Sequence, residues 1–152
     1  MRRIAALLGI AVLLAVLANA VSPRGLSWSE PLGKDLRAQA ALEGLVPVGL
    51  AAARERLRDP AFLFLDARPR DEFEVGHLPG AVSLPWREVE EGAAPAAPPP
   101  RGRAIVVYCA NEFCETSLQL GRWLRAKGYG DVALFVDGYE AWWNAGGSRE
   151  QD

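Results

Sequence analysis

Residues 104–117 read AIVVYCANEFCETS. The apolar run Ala104-Ile105-Val106-Val107-Tyr108 has the length and β-branched content of a strand buried on both faces. Leu118 to Lys127 follows with the spacing of an amphipathic helix. Cys109 therefore ends a buried strand in a turn that opens a helix. Backbone N–H groups and the positive end of a helix dipole converge on such a position and favour the thiolate, the reactive form of cysteine. The plain alternative is a small core cysteine, because free cysteine is among the most buried residue types. Against it stands the placement of both of the chain's cysteines, Cys109 and Cys114, in this one turn.

Working outward, residues 62–85 read FLFLDARPRDEFEVGHLPGAVSLP. An apolar strand from Phe62 to Leu65 ends in Asp66-Ala67-Arg68, a short acidic helix follows, and then Gly76-His77-Leu78-Pro79-Gly80-Ala81. On the other side Val132 to Trp142, VALFVDGYEAW, reads as a strand and a helix that starts at glycine. Val46-Pro47-Val48 and Gly49 to Arg58 read as a short strand and helix leading into the Phe62 strand. Strands alternating with helices predict an α/β fold, a parallel sheet with helices on both faces. Ligands of such sheets bind at the carboxyl ends of the strands, where Cys109 falls.

The D-x-R strand ending at Asp66 to Arg68, the GHLPGA turn from Gly76, the YC pair at Tyr108-Cys109 and the G-Y-x-x-W ending from Gly138 occur in that order, and together they resemble the rhodanese (sulfurtransferase) family. The resemblance covers residues 46–147 and implies a rhodanese-like domain over 46–148. It also implies a chemistry in which the loop cysteine takes a sulfane sulfur as a persulfide and passes it to a thiol acceptor. Cys109 matches that cysteine. Ala110, Asn111, Glu112, Phe113, Cys114, Glu115, Thr116 and Ser117 form the active-site loop of the resemblance, with Asp66, Arg68 and His77 as supporting residues. The family's turn histidine braces the loop, and its partners are a small sulfur donor and a thiol acceptor; no cofactor is expected.

The loop departs from the family pattern C-x-x-G-x-R-[ST]. Cys114 occupies the position of the arginine that draws in an anionic donor, and Ser117 lies two residues late. No arginine or lysine falls between Cys109 and Ser117, while Glu112 and Glu115 do. Carboxylates near a thiolate raise its pKa and oppose a dianion, so thiosulfate is not the expected donor. Arg68 or Arg70 would have to offset that charge. Thr116 and Ser117 are placed to cap the helix or to hydrogen-bond a persulfide, capping being the plainer role.

Cys114 opens further readings. Two cysteines five apart on a curved turn can approach within the roughly 4.4–6.8 Å between Cα atoms that a disulfide needs. Cys114 is then a resolving thiol that releases sulfide, half of a thiol–disulfide redox pair with a protein partner, or half of an inert bridge. A non-catalytic rhodanese-like binding module is the remaining reading. One histidine and two cysteines in one loop give no zinc-site spacing, so no metal is expected. Asp66 and Arg68 read as an ion pair tying a strand end to the loop or as substrate contacts, and Tyr139, Trp142 and Trp143 as packing of the last helix onto the sheet.

With 152 residues, half of them hydrophobic and 24% charged, the chain fits one globular domain plus an apolar segment. Net charge is −2 and basic residues are interspersed with acids with no basic patch, so no nucleic-acid partner is expected. Met1-Arg2-Arg3 precedes an uncharged run from Ile4 to Ala18, then Asn19-Ala20-Val21. Residues 1–21 therefore read as an N-terminal hydrophobic helix, its charged end in the cytoplasm and the domain on the periplasmic or exterior side. Ile4 to Val21 would be about 27 Å long as a helix, enough for a single-pass anchor. Ala18-Asn19-Ala20 also fits signal-peptide cleavage after Ala20. Residues 22–45 read as a tether with a short helix over Asp35 to Leu45, and the proline-rich stretch from Gly92 to Gly102 as a surface loop.

Overall fold

The computed structural model describes residues 35–92 and 99–151, together with Gly9, Leu17 and Ala18. Apart from those three residues, the expected N-terminal helix (residues 1–21) lies outside the described residues, as do most of the tether and residues 93–98 of the proline-rich loop. Among the described residues no helix is long and apolar enough to cross a membrane.

Strands and helices alternate: α1 (Leu36–Leu42), β1 (Val46–Val48), α2 (Leu50–Leu57), β2 (Phe62–Asp66), α3 (Arg70–Val75), β3 (Val82–Ser83), α4 (Trp86–Glu90), β4 (Ala104–Tyr108), α5 (Thr116–Ala126), β5 (Val132–Phe135) and α6 (Gly138–Asn144). The five strands form one parallel sheet in the order β1-β5-β4-β2-β3. The strand read over Ala104 to Tyr108 is β4 residue for residue, and α5 starts two residues before Leu118.

Side chains alternate across the sheet and build two cores. Leu63, Leu65, Ile105, Val107, Val132 and Leu134 face α1, α4 and α5. Phe64, Val106, Tyr108, Ala133 and Phe135 face α2 and α6. The central strand β4 is buried on both sides, so its carboxyl end is a fixed platform. Residues 35–45, placed in the tether by sequence, fold with the domain. Asp35 caps α1 by accepting hydrogen bonds from the Arg37 and Ala38 amides, and Leu36, Ala40 and Leu45 enter the first core. The last helix packs through Trp142 and Tyr139. Trp143 does not: it is exposed, and the Arg149 guanidinium lies 4.6 Å from its ring centre.

Next to β4, Asp66 and Arg68 form a buried ion pair at the end of β2. Arg68 donates to both carboxylate oxygens of Asp66 at 2.6–3.0 Å and to the Gly76 carbonyl at 2.8 Å. Burial works against the Arg68 charge, but its bonds to Asp66 hold its pKa above the usual value. Burial, and then the neighbouring Asp66 carboxylate, push the Tyr108 hydroxyl far above its ordinary range, so it stays protonated. Removing one partner strands the other as a buried charge. Asp66→Ala is expected to lower unfolding stability by about 3–5 kcal/mol in urea denaturation, whereas Asp66→Leu combined with Arg68→Met recovers most of that loss.

Candidate active site

Cys109 follows the last residue of β4 and is 3% exposed. Its sulfur is joined to that of Cys114 as a disulfide, with 6.1 Å between the Cα atoms. The Thr116 hydroxyl lies 3.0 Å from the Cys109 sulfur and 3.2 Å from that of Cys114, so one O–H group serves both. Thr116 is thus a partner of the sulfurs and not a helix cap. Ser117 is buried and donates back to the Cys114 carbonyl, which excludes capping for it as well.

The loop takes its shape from Asn111 and from α6. Asn111 accepts from the Phe113 amide through its side chain and from the Cys114 amide through its carbonyl. Both amides are therefore used within the turn, and the cradle of N–H groups expected around the sulfur is partly closed on itself. The first amides of α6 point into the loop from the other side. Tyr139 N–H donates to the Cys109 carbonyl and Glu140 N–H to the Ala110 carbonyl, each at 2.9 Å. The Asn111 side-chain amide reaches the Glu140 carboxylate at 3.0 Å. A helix N-terminus with free N–H groups is the natural mate for such carbonyls.

This seat needs a glycine. Gly138 has φ +72°, and a Cβ there would stand 2.7 Å from both the Ala110 carbonyl oxygen and the Asn111 nitrogen. The initial glycine of G-Y-x-x-W is a clue to this, but its target shows only in three dimensions.

Charge around the loop is negative. Glu112 and Glu115 are exposed on its rim, and Glu140 adds a third carboxylate. Neither arginine considered from sequence offsets them. Arg68 is committed to Asp66, and Arg70 pairs with Glu88 at 2.8 Å, a contact that raises the Arg70 pKa. Phe113 stands on the same rim, 70% exposed.

Asp66, Arg68 and His77 form a separate buried group, linked to the loop through two tyrosines. The Arg68 guanidinium lies 4.1 Å from the Tyr139 ring centre, and the Tyr108 hydroxyl accepts from the Leu78 amide. His77 stacks on Phe73 at 3.7 Å between ring centres and donates from Nδ1 to the Phe73 carbonyl. Its backbone pairs with Glu150, beyond the expected domain end at 148. Gly76 must be small, because a Cβ would lie 2.6 Å from the Tyr139 hydroxyl. These contacts brace the GHLPGA turn against α6 and thereby the cysteine loop. Among the described residues there is no metal-ligating cluster.

The family model described as a rhodanese-like domain matches residues 50–145. The rhodanese-like domain of Alr3790 from Anabaena sp. is 30% identical, with a TM-score of 0.59 over 70% of this chain and 79% of that one. The human single-domain sulfurtransferase TSTD1 shares the fold at 24% identity, with a TM-score of 0.56 over 64% of this chain and 95% of that one. Among curated relatives, the HTH-type transcriptional regulator Rv0324 of Mycobacterium tuberculosis is 33% identical over 82 residues, 54% of this chain and 34% of that protein. The tRNA uridine(34) hydroxylase of Escherichia coli (strain K12 / DH10B) is 31% identical over 86 residues, 54% of this chain and 24% of that enzyme. The chain thus spans about a third or less of the length of these two relatives.

Gly138→Ala is expected to cost about 2 kcal/mol of stability in urea denaturation, through the positive φ and the collision with the loop. In the reduced protein it also changes the alkylation rate of Cys109, whereas Gly146→Ala, also at positive φ but with open space around it, leaves that rate alone.

Proposed function

The chain belongs to the rhodanese-like domain family, and from that membership we propose that it is a sulfurtransferase that carries sulfane sulfur as a persulfide on Cys109. The observation that supports this most is the placement of Cys109 at the carboxyl end of β4, its loop carbonyls held by α6 and a hydroxyl donor 3.0 Å from its sulfur. In the reduced protein the Cys109 thiolate attacks the outer sulfur of a donor R–S–SH. The donor's S–S bond breaks, R–S⁻ leaves, and the sulfur stays as Cys109–S–SH. An acceptor thiolate then attacks that outer sulfur and restores the Cys109 thiolate. The Thr116 hydroxyl is placed to hydrogen-bond the sulfur anion in each step.

The bridge occupies the sulfur that this reaction needs. Oxidised protein is therefore expected to transfer no sulfur from a donor persulfide to an acceptor thiol, and reduction to switch transfer on. Cys109→Ser, which cannot form the bridge, is expected to be inactive with or without reductant while keeping the wild-type unfolding midpoint of the reduced protein. The bridge also favours a second reading, a thiol–disulfide redox protein. Exchange with a partner dithiol by protein that takes up no donor sulfur would favour it.

The acidic rim argues for a neutral or singly charged donor. Two carboxylates near a bound dianion lower its binding by about tenfold at low salt. Glu112→Gln with Glu115→Gln is accordingly expected to raise kcat/KM for thiosulfate by about tenfold, a gain that shrinks as salt screens the exposed charges. An alkyl persulfide gains much less. Unchanged thiosulfate turnover would mean that the rim does not face the donor.

We place the domain on the outer side of the cytoplasmic membrane, on the strength of the Arg2-Arg3 pair before the apolar run from Ile4. An alkaline phosphatase fused after Asp152, active only outside the cytoplasm, is expected to be active in a bacterial host. Fluorescence from a reporter that matures only in the cytoplasm would contradict the placement.

A further inference from the structure

We propose that Cys114 resolves the Cys109 persulfide, so that the protein turns sulfane sulfur into sulfide at the expense of an external dithiol. The inference rests on the persulfide reading and adds the fate of the sulfur.

Three features carry it. The loop closes the bridge with no residue other than glycine at positive φ among the described residues, and its Cα separation of 6.1 Å lies within the span that a disulfide allows. The Asn111 turn that brings Cys114 back over Cys109 is the same turn that α6 grips, so the approach belongs to the architecture of the site. Thr116 meets both sulfurs through a single hydroxyl, and can hydrogen-bond whichever of them carries the negative charge.

The chemistry balances. The Cys114 thiolate attacks the inner sulfur of Cys109–S–SH. A bond forms between the two cysteine sulfurs, the bond to the outer sulfur breaks, and the outer sulfur leaves as HS⁻ with the electron pair and its proton. The outer sulfur is reduced and the two cysteines are oxidised to the bridge seen in the structure. A dithiol reductant then reopens it. Cys109 is buried, whereas Cys114 is partly exposed beside the open rim, so the entering thiolate attacks the Cys114 sulfur. Cys109 departs as the thiolate, with Thr116 placed to hydrogen-bond it. The second thiol of the reductant attacks its own first sulfur, closes a disulfide and frees Cys114. Two protons pass from the dithiol to the cysteine pair. A rim of Glu112, Phe113 and Glu115 suits a reductant with an apolar, neutral or basic face around its dithiol and disfavours an anionic monothiol.

The test is a single turnover of the full-length chain in detergent, reduced with dithiothreitol, freed of it, and kept without oxygen. One equivalent of cysteine persulfide is added with no other thiol, and sulfide and protein mass are followed. Wild type is expected to release one sulfide per chain beyond a protein-free control and to end bridged. Cys114→Ser is expected to hold the sulfur on Cys109 and release sulfide at least about tenfold more slowly. Wild type that keeps the added sulfur on Cys109 with Cys114 still open to alkylation overturns the inference alone. So does release by Cys114→Ser at the wild-type rate. Failure of both chains to take up sulfur overturns the inference together with the persulfide reading.

Discussion

The site depends on the two hydrogen bonds by which the start of α6 holds the Cys109 and Ala110 carbonyls. They turn the chain aside as it leaves β4, where a buried strand gives way to an exposed loop. Gly138 lets the helix come close enough to make them. The remaining contacts support that approach. Arg68, held by Asp66, lies over the Tyr139 ring, and the narrow passage at Gly76 admits the Tyr139 hydroxyl. A buried ion pair with no direct contact to sulfur is thereby joined to the geometry of the reactive loop.

Much of this was legible in the sequence because its signals are local. Ala104 to Tyr108 is continuously apolar and β-rich, as a strand covered on both faces is. The D-x-R, GHLPGA, YC and G-Y-x-x-W elements each mark a strand end or a tight turn, and their order carried the family resemblance, while the alternation of strands with helices indicated the parallel sheet. What escaped the reading depends on contacts between distant segments. Leu36, Ala40 and Leu45 look like part of a tether until the first core is seen to need them. Trp143 looks as apolar as Trp142, but of the two only Trp142 lies on the side of the helix that faces the sheet. Thr116 and Ser117 look like caps because they precede a helix, yet the turn at Asn111 carries one to the sulfurs and returns the other to a carbonyl.

The same turn gives the loop its chemical character. Where the family pattern has an arginine, this chain has Cys114, and the structure puts that cysteine on Cys109. A positive charge that would attract an anionic donor is exchanged for a thiol able to take part in the reaction, and the carboxylates of Glu112 and Glu115 reinforce the change. Electrostatic capture of a small dianion and covalent resolution by a neighbouring thiol are alternative uses of one loop position, and the residues here fit the second.

The central claim, that Cys109 carries the sulfur, is tested most directly by peptide mass mapping of the reduced full-length Cys114→Ser chain after exposure to an alkyl persulfide. The account predicts a gain of one sulfur atom on the peptide holding Cys109, removed by an acceptor thiol and absent when Cys109→Ser is added. An unmodified Cys109 peptide would contradict it, as would sulfur bound elsewhere on the chain.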